Sequence, residues 1–157
     1  MHTRRELLSH SARVAALLAS VGMLPAVAQA QVQAAGYNSA AFDAKSVGEL
    51  MKILGAGSPV ASADVAITGP DIAENGAVVP VGASTTLGGT KRILILVEKN
   101  PSVLTAMFEI SDAVESNFST RVKMGQSSNV YAVAMMNDGK VLFAQKEVKV
   151  TLGGCGG

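Results

Sequence analysis

The sequence has few of the side chains on which catalytic and metal sites depend. Among its 157 residues there are no tryptophans, one cysteine and two histidines, and the histidines are His2 and His10. Both lie in the export signal described below, so its removal leaves no imidazole. That excludes Ser–His–Asp and Cys–His catalysis and leaves one soft ligand where zinc or copper sites usually need three or four. We therefore expect no catalytic residue, no metal ion and no cofactor.

The charge is also small and evenly distributed. Thirteen basic side chains oppose twelve acidic ones, for a net charge of +1. No run of five or more like charges forms a local patch, so the sequence predicts no nucleic-acid partner. No apolar stretch of about 18 residues follows the N-terminal one, which predicts a protein without a membrane anchor.

Residues 1–30 have the pattern of an export signal. Arg4 and Arg5 form a charged head, the stretch from Val14 to Val27 is apolar, and Ala28-Gln29-Ala30 is a small-x-small cleavage site. The paired arginines match the twin-arginine signal, whose pathway exports folded proteins, although an ordinary secretory signal also begins with positive charge. The mature chain would begin at Gln31 and be released into the periplasm.

Hydrophobic periodicity predicts one helix followed by β-structure over residues 31–152. Apolar residues spaced as on one helix face predict an amphipathic helix over about residues 39–54. Period-two alternation then takes over, with turn signals at Asn75-Gly76 and Asn137-Asp138-Gly139. The predicted strands are Val65–Thr68, Ala77–Ser84, Ile93–Val97, Leu104–Ile110, Phe118–Met124, Val130–Met136 and Val141–Gln145, the last continuing through Leu152. About seven short strands favour an immunoglobulin-like antiparallel β-sandwich, in which Ile93–Val97 is covered on both faces.

The lone cysteine lies in a segment of glycines. The segment is Gly153, Gly154, Cys155, Gly156 and Gly157. Four glycines in five residues make ordering costly, so we expect a mobile arm that carries the thiol about 10 Å beyond Leu152. No neighbouring side chain in the sequence stabilises a thiolate, which favours a sulfur activated by other proteins over a self-sufficient thiol enzyme.

Other interpretations of Cys155 remain open at this point. An odd cysteine in an exported protein can form an intermolecular disulfide that joins a dimer of structural β-sandwich subunits. A thiol peroxidase or disulfide-exchange enzyme is the other alternative, and it requires a pocket around Cys155.

Three features together resemble the SoxY family of sulfur-carrier subunits in periplasmic thiosulfate oxidation. They are the glycine-flanked Cys155, the paired arginines Arg4-Arg5, and the segment from Pro70 to Val81, which reads PDIAENGAVVPV. The cysteine ending is the most specific of the three, and the resemblance covers the chain in its layout.

The resemblance implies a covalent role for Cys155 and a set of partners. In this family a c-type cytochrome complex, SoxAX, couples thiosulfate to the arm cysteine, and the hydrolase SoxB releases sulfate. In some organisms the molybdenum-dependent dehydrogenase SoxCD oxidises the remaining sulfur. The carrier works as a complex with SoxZ, a smaller β-sandwich protein without an export signal of its own, which implies export of the folded pair.

Overall fold

A computed structural model describes residues 38–152 of the chain. The predicted signal at 1–30 and the predicted arm at 153–157 lie outside these residues. The helices are α1 (Ser39–Asp43) and α2 (Val47–Ile53). The strands are β1 (Val60–Ala61), β2 (Val65–Thr68), β3 (Ile72–Ala73), β4 (Val79–Thr85), β5 (Thr90–Val97), β6 (Leu104–Glu109), β7 (Asn117–Val122), β8 (Ser128–Met136) and β9 (Val141–Val150).

The strands form two sheets, which confirms the predicted mainly-β sandwich. The larger sheet has the order β1-β9-β8-β5-β6, with β3 also paired to β9, and the smaller has the order β2-β4-β7. All pairings are antiparallel except two: β1 and β3 each run parallel to β9. The predicted all-antiparallel arrangement therefore needs this correction at the β9 edge.

Two hydrophobic cores lie on opposite faces of the larger sheet. The first fills the space between the sheets and includes Ile93, Ile95 and Val97 of β5. The second lies between the outer face and the helices, where Leu94 and Leu96 pack with residues that include Leu50 and Met51. Every residue of Ile93–Val97 is buried, which confirms the prediction that this strand is covered on both faces.

The predicted helix over 39–54 is divided into two short helices. Ala44 has φ −58° and ψ 133°, an extended conformation that ends α1. Ser46 then begins α2 as its N-cap, because its hydroxyl accepts a hydrogen bond from the Glu49 amide at 3.2 Å. Both helices contribute to the same core, so the apolar periodicity continues across the break and does not reveal it.

The turns follow their sequence signals. Gly139 has φ 87° in the connection between β8 and β9, a conformation that glycine adopts without strain. Asn75 accepts a hydrogen bond from the Ala77 amide through Oδ1 at 2.8 Å, as expected of an Asx turn. Neither helix in the described part of the chain is long and apolar enough to cross a membrane.

Candidate functional site

The predicted functional residues lie outside the described part of the chain. This is true of Cys155, of the glycines Gly153, Gly154, Gly156 and Gly157, and of the signal residues Arg4 and Arg5. What the structure does describe is the point from which residues 153–157 continue. We call residues 149–152, the end of β9 and the two residues after it, the root of the C-terminal segment.

A second segment, residues 71–76, runs beside the root, and we call it the strap. Strand β3 lies within it and pairs in parallel with β9, so that Ile72 is opposite Lys149 and Ala73 is opposite Val150. The Lys149 amide donates to the Asp71 carbonyl at 2.9 Å, and the Thr151 amide donates to the Ala73 carbonyl at 3.1 Å. Main-chain pairing therefore continues one residue beyond the end of β9.

Gly76 joins the root to the chain that follows β7. Its amide donates to the Leu152 carbonyl and its carbonyl accepts from the Met124 amide, both at 2.7 Å. The Thr151 hydroxyl adds a third attachment, donating to the Glu74 carbonyl at 3.1 Å. Leu152 is thus held through its main chain to the strap, and Gly76 connects it to the residues that follow β7.

The opposite side of the root is held by a side chain. Strand β8 begins at Ser128, which is paired with Val148, so the strand offers no main-chain partner at Val150. The Val150 amide instead donates to the Ser127 hydroxyl at 2.9 Å. This bond extends the attachment of β9 by one step beyond the β8 pairing.

An ion pair links the strap to β9 at the surface. Lys146 Nζ lies 2.7 Å from Asp71 Oδ1. The hydrogen bond from Lys146, together with its positive charge, lowers the pKa of the Asp71 carboxyl below its ordinary value. The Asp71 side chain is 90% exposed, so this pair orients the strap more than it stabilises the fold.

The surface at the root is partly apolar. Ile72 in the strap is 58% exposed and Leu152 is 65% exposed, while Lys149 and Glu74 are exposed polar neighbours. Within residues 38–152, no group of three or more histidine, cysteine, aspartate or glutamate side chains could hold a metal ion. The described surface of the root thus combines two exposed apolar side chains with polar neighbours.

Sequence reasoning missed these attachments. The sequence marks Pro70 to Val81 through its family resemblance and through the turn signal at Asn75-Gly76, and neither feature indicates contact with β9. Strands β2 and β4 are indeed antiparallel neighbours, but the chain between them also crosses to β9. The pairing of this chain with β9 cannot be predicted from alternating side chains, because a strand of two residues is too short to show a period-two pattern.

The model of the family described as sulfur oxidation protein SoxY matches residues 50–155, from the second helix to Cys155. The chain belongs to the SoxY family. The solved structure of the sulfur carrier protein SoxY from Chlorobium limicola f thiosulfatophilum is 32% identical in sequence. That match has a TM-score of 0.60 and covers 67% of this chain and 94% of the Chlorobium chain. The match to the SoxY family includes both the strap and the root.

Other solved structures are less similar to this SoxY family member. A variant of the superoxide reductase (neelaredoxin) from Ignicoccus hospitalis is 20% identical, with a TM-score of 0.49, and the match covers 55% of this chain and 78% of that one. A putative superoxide reductase from Thermotoga maritima is 15% identical, with a TM-score of 0.48 and coverage of 59% and 93%. No protein of curated function matches the chain significantly.

Proposed function

We propose that this chain is a non-catalytic sulfur carrier of the Sox system that holds thiosulfate-derived sulfur on Cys155. One observation carries the proposal above all others: the SoxY family match extends to residue 155, the only cysteine in the sequence. The root geometry supports it, because a segment that presents a bound group to partners needs a fixed point of origin.

The available chemistry favours a carrier over an enzyme. A free thiol has a pKa near 8.5 and is mostly protonated at neutral pH unless a cation, an imidazole or a helix N-terminus stabilises the thiolate. Both histidines of the sequence precede residue 11, within the proposed signal. Cys155 would then rely on partner proteins for activation, as a carried nucleophile does.

The proposed loading step is an oxidation. Coupling thiosulfate to the Cys155 thiol forms one sulfur–sulfur bond, releases the thiol proton and passes two electrons to the cytochrome complex SoxAX. The product is a cysteine S-thiosulfonate. The hydrolase SoxB then uses one water to release the terminal sulfone as sulfate with two protons, and a deprotonated persulfide remains on Cys155.

The sulfane sulfur that remains has two proposed fates. Where the dehydrogenase SoxCD is present, three waters supply the oxygens, and six electrons and six protons are removed, to give a cysteine S-sulfonate. A second hydrolysis releases sulfate and restores the thiol. In its absence the sulfane sulfur passes to storage or to another acceptor. Cys155 is regenerated in either route.

Export and assembly form part of the proposal. Residues 1–30 would be a twin-arginine signal, residues 31–152 the carrier domain and residues 153–157 the arm. The partner subunit would be SoxZ, carried to the periplasm in the folded complex. These assignments are supported by the Arg4-Arg5 signal and by membership of the SoxY family, whose partners belong to the same system.

The test is a comparison of wild-type protein with Cys155→Ser in cells grown on thiosulfate. We expect intact-mass spectrometry of the purified wild type to show adducts of sulfur or thiosulfonate that a reductant removes. The serine variant should lack them and lose thiosulfate-dependent respiration, while its folding and SoxZ binding persist.

Three results would contradict the carrier proposal. Full respiration in the serine variant, with adducts absent from the wild type, would favour a structural subunit. Turnover of peroxide or disulfide by the isolated protein would favour a thiol enzyme. Loss of function only under conditions that break a Cys155 disulfide dimer would favour the intermolecular crosslink.

A further inference from the structure

We propose that Asn75 is a deamidation site whose reaction the fold slows by holding the amide of the next residue, Gly76. Asparagine is a thermolabile residue, and Asn75-Gly76 is the only Asn-Gly pair in the sequence. Glycine in second place favours the reaction, because it has no side chain to shield its nitrogen and has the most flexible main chain. The proposal goes beyond the carrier function and does not depend on Cys155.

The reaction is a cyclisation followed by hydrolysis. The Gly76 main-chain nitrogen bonds to Cγ of Asn75, the bond from Cγ to Nδ2 breaks, and the Gly76 proton leaves with the side-chain nitrogen as ammonia. Water then opens the resulting succinimide at either of its two carbonyl carbons. One product is aspartate. The other is isoaspartate, in which the main chain passes through the former side chain and is one carbon longer.

The attacking nitrogen is already engaged in the folded chain. The Gly76 N–H donates to the Leu152 carbonyl at 2.7 Å, and the Gly76 carbonyl accepts from the Met124 amide at 2.7 Å. Gly76 is also buried, so water reaches its amide proton less readily than in an unfolded chain. The nitrogen can therefore lose its proton and attack only after the bond to Leu152 has opened.

The side chain under attack is held as well. Asn75 is exposed, but its Oδ1 accepts a hydrogen bond from the Ala77 amide at 2.8 Å. Cyclisation brings Cγ within bonding distance of the Gly76 nitrogen, so the Asn75 side chain has to move from this position. Each of the two bonds that must open lowers the population of the reactive form about fivefold. Together they should slow deamidation of the folded protein about twentyfold relative to the unfolded chain.

Thr151 provides a way to loosen the strap without changing either reacting residue. Its amide donates to the Ala73 carbonyl at 3.1 Å, and its hydroxyl donates to the Glu74 carbonyl at 3.1 Å. Thr151→Val removes the hydroxyl bond alone, whereas Thr151→Pro also removes the amide. The matched control is Thr86→Val, because Thr86 is exposed and follows β4 at the end of that strand distant from the strap.

The experiment is an ageing series on the purified protein at mildly alkaline pH. Peptide mapping by mass spectrometry measures replacement of the Asn75 amide by a carboxyl group, and electron-transfer fragmentation distinguishes aspartate from isoaspartate. The reference is the same protein unfolded in guanidinium chloride, in which Asn75 should react about twentyfold faster. Thr151→Val should react up to about fivefold faster than the folded wild type and Thr151→Pro about tenfold or more, whereas Thr86→Val should match the wild type.

The isoaspartate product should lose the Gly76 attachment. The added main-chain carbon lies between Glu74 and Gly76, and it shifts the Gly76 amide out of register with Leu152. Hydrogen exchange on the aged wild type should therefore be faster at the Gly76 amide in the isoaspartate fraction, while amides of β5 stay unchanged.

Three results would overturn the proposal. The first is an equal deamidation rate at Asn75 in the folded and the unfolded wild type. The second is an equal acceleration in Thr151→Val and Thr86→Val, which would point to general loosening of the fold. The third is an unchanged rate in the Thr151 variants; if Thr151→Pro does not fold, Thr151→Val alone decides. None of these measurements uses Cys155, so their failure leaves the carrier function standing.

Discussion

Replacing Ser127 by alanine should loosen the root without unfolding the sandwich. The Ser127 hydroxyl accepts the Val150 amide at 2.9 Å in a partly buried position, just beyond the pairing of Ser128 with Val148. Removing it leaves an amide without its acceptor, at a cost of about 1 kcal/mol. Because Val150 ends its strand, we expect this cost to appear as local opening.

A cost of that size corresponds to about a fivefold faster exchange of the Val150 amide. NMR-detected hydrogen exchange on nitrogen-15-labelled protein measures it residue by residue. The matched control is Ser62→Ala, which removes a hydroxyl bonded to Asp64 at an exposed site away from the root. An equal acceleration at Val150 in both variants, or none in Ser127→Ala, would refute the assignment of this hydroxyl to the root.

Two further predictions concern the outer face of the larger sheet. Leu50→Ala should lower the free energy of unfolding by about 2 to 5 kcal/mol in urea denaturation, because Leu50 is the fully buried residue of α2 that packs in the outer core. The control Lys52→Ala, at an exposed position of the same helix, should change it little. Burial, followed by the nearby charge of Glu98, raises the pKa of Tyr131 above 10.0. Stability should therefore fall as pH rises from 10 through the folded pKa, and tyrosinate absorbance should show a lower pKa in Glu98→Gln.

The longer strands and their alternating burial were predictable from the sequence of side chains alone. In β7, Ser119 and Arg121 are exposed while Phe118 and Thr120 are partly buried and Val122 is buried, as the alternation predicts. The antiparallel pairing of β8 with β9 follows from the turn at 137–139. These elements were predictable because burial on one face selects apolar residues at every second position.

The short parallel strands were not predictable in the same way. Ile72 and Ala73 pair with residues near the other end of the sequence, Lys149 and Val150. Two residues carry no alternation, and their bonds to β9 use main-chain groups that every sequence possesses. The break at Ala44 was hidden for a related reason, since the capping hydroxyl of Ser46 is a weaker signal than a continuous apolar face.

The candidate site likewise has a part that the sequence predicts and a part that it does not. Composition predicts Cys155 as the candidate residue, because a single thiol among four glycines is conspicuous in any sequence. The attachment of Leu152 to Gly76 depends on a folded register and leaves no mark on composition. A sequence can therefore indicate a candidate residue, whereas the main-chain attachment of residues 149–152 is a property of the assembled sheet.

The strap also affects how a partner can approach the root. Strand β9 is ten residues long and lies next to the edge of its sheet. β1 pairs near its start and β3 near its end. Of the five residues between, 144–148, three are polar or charged: Gln145, Lys146 and Glu147. Such edges resist addition of a foreign strand. At the root, the Lys149 and Thr151 amides and the Leu152 carbonyl are already bonded to the strap, so addition of a strand there would have to replace existing hydrogen bonds.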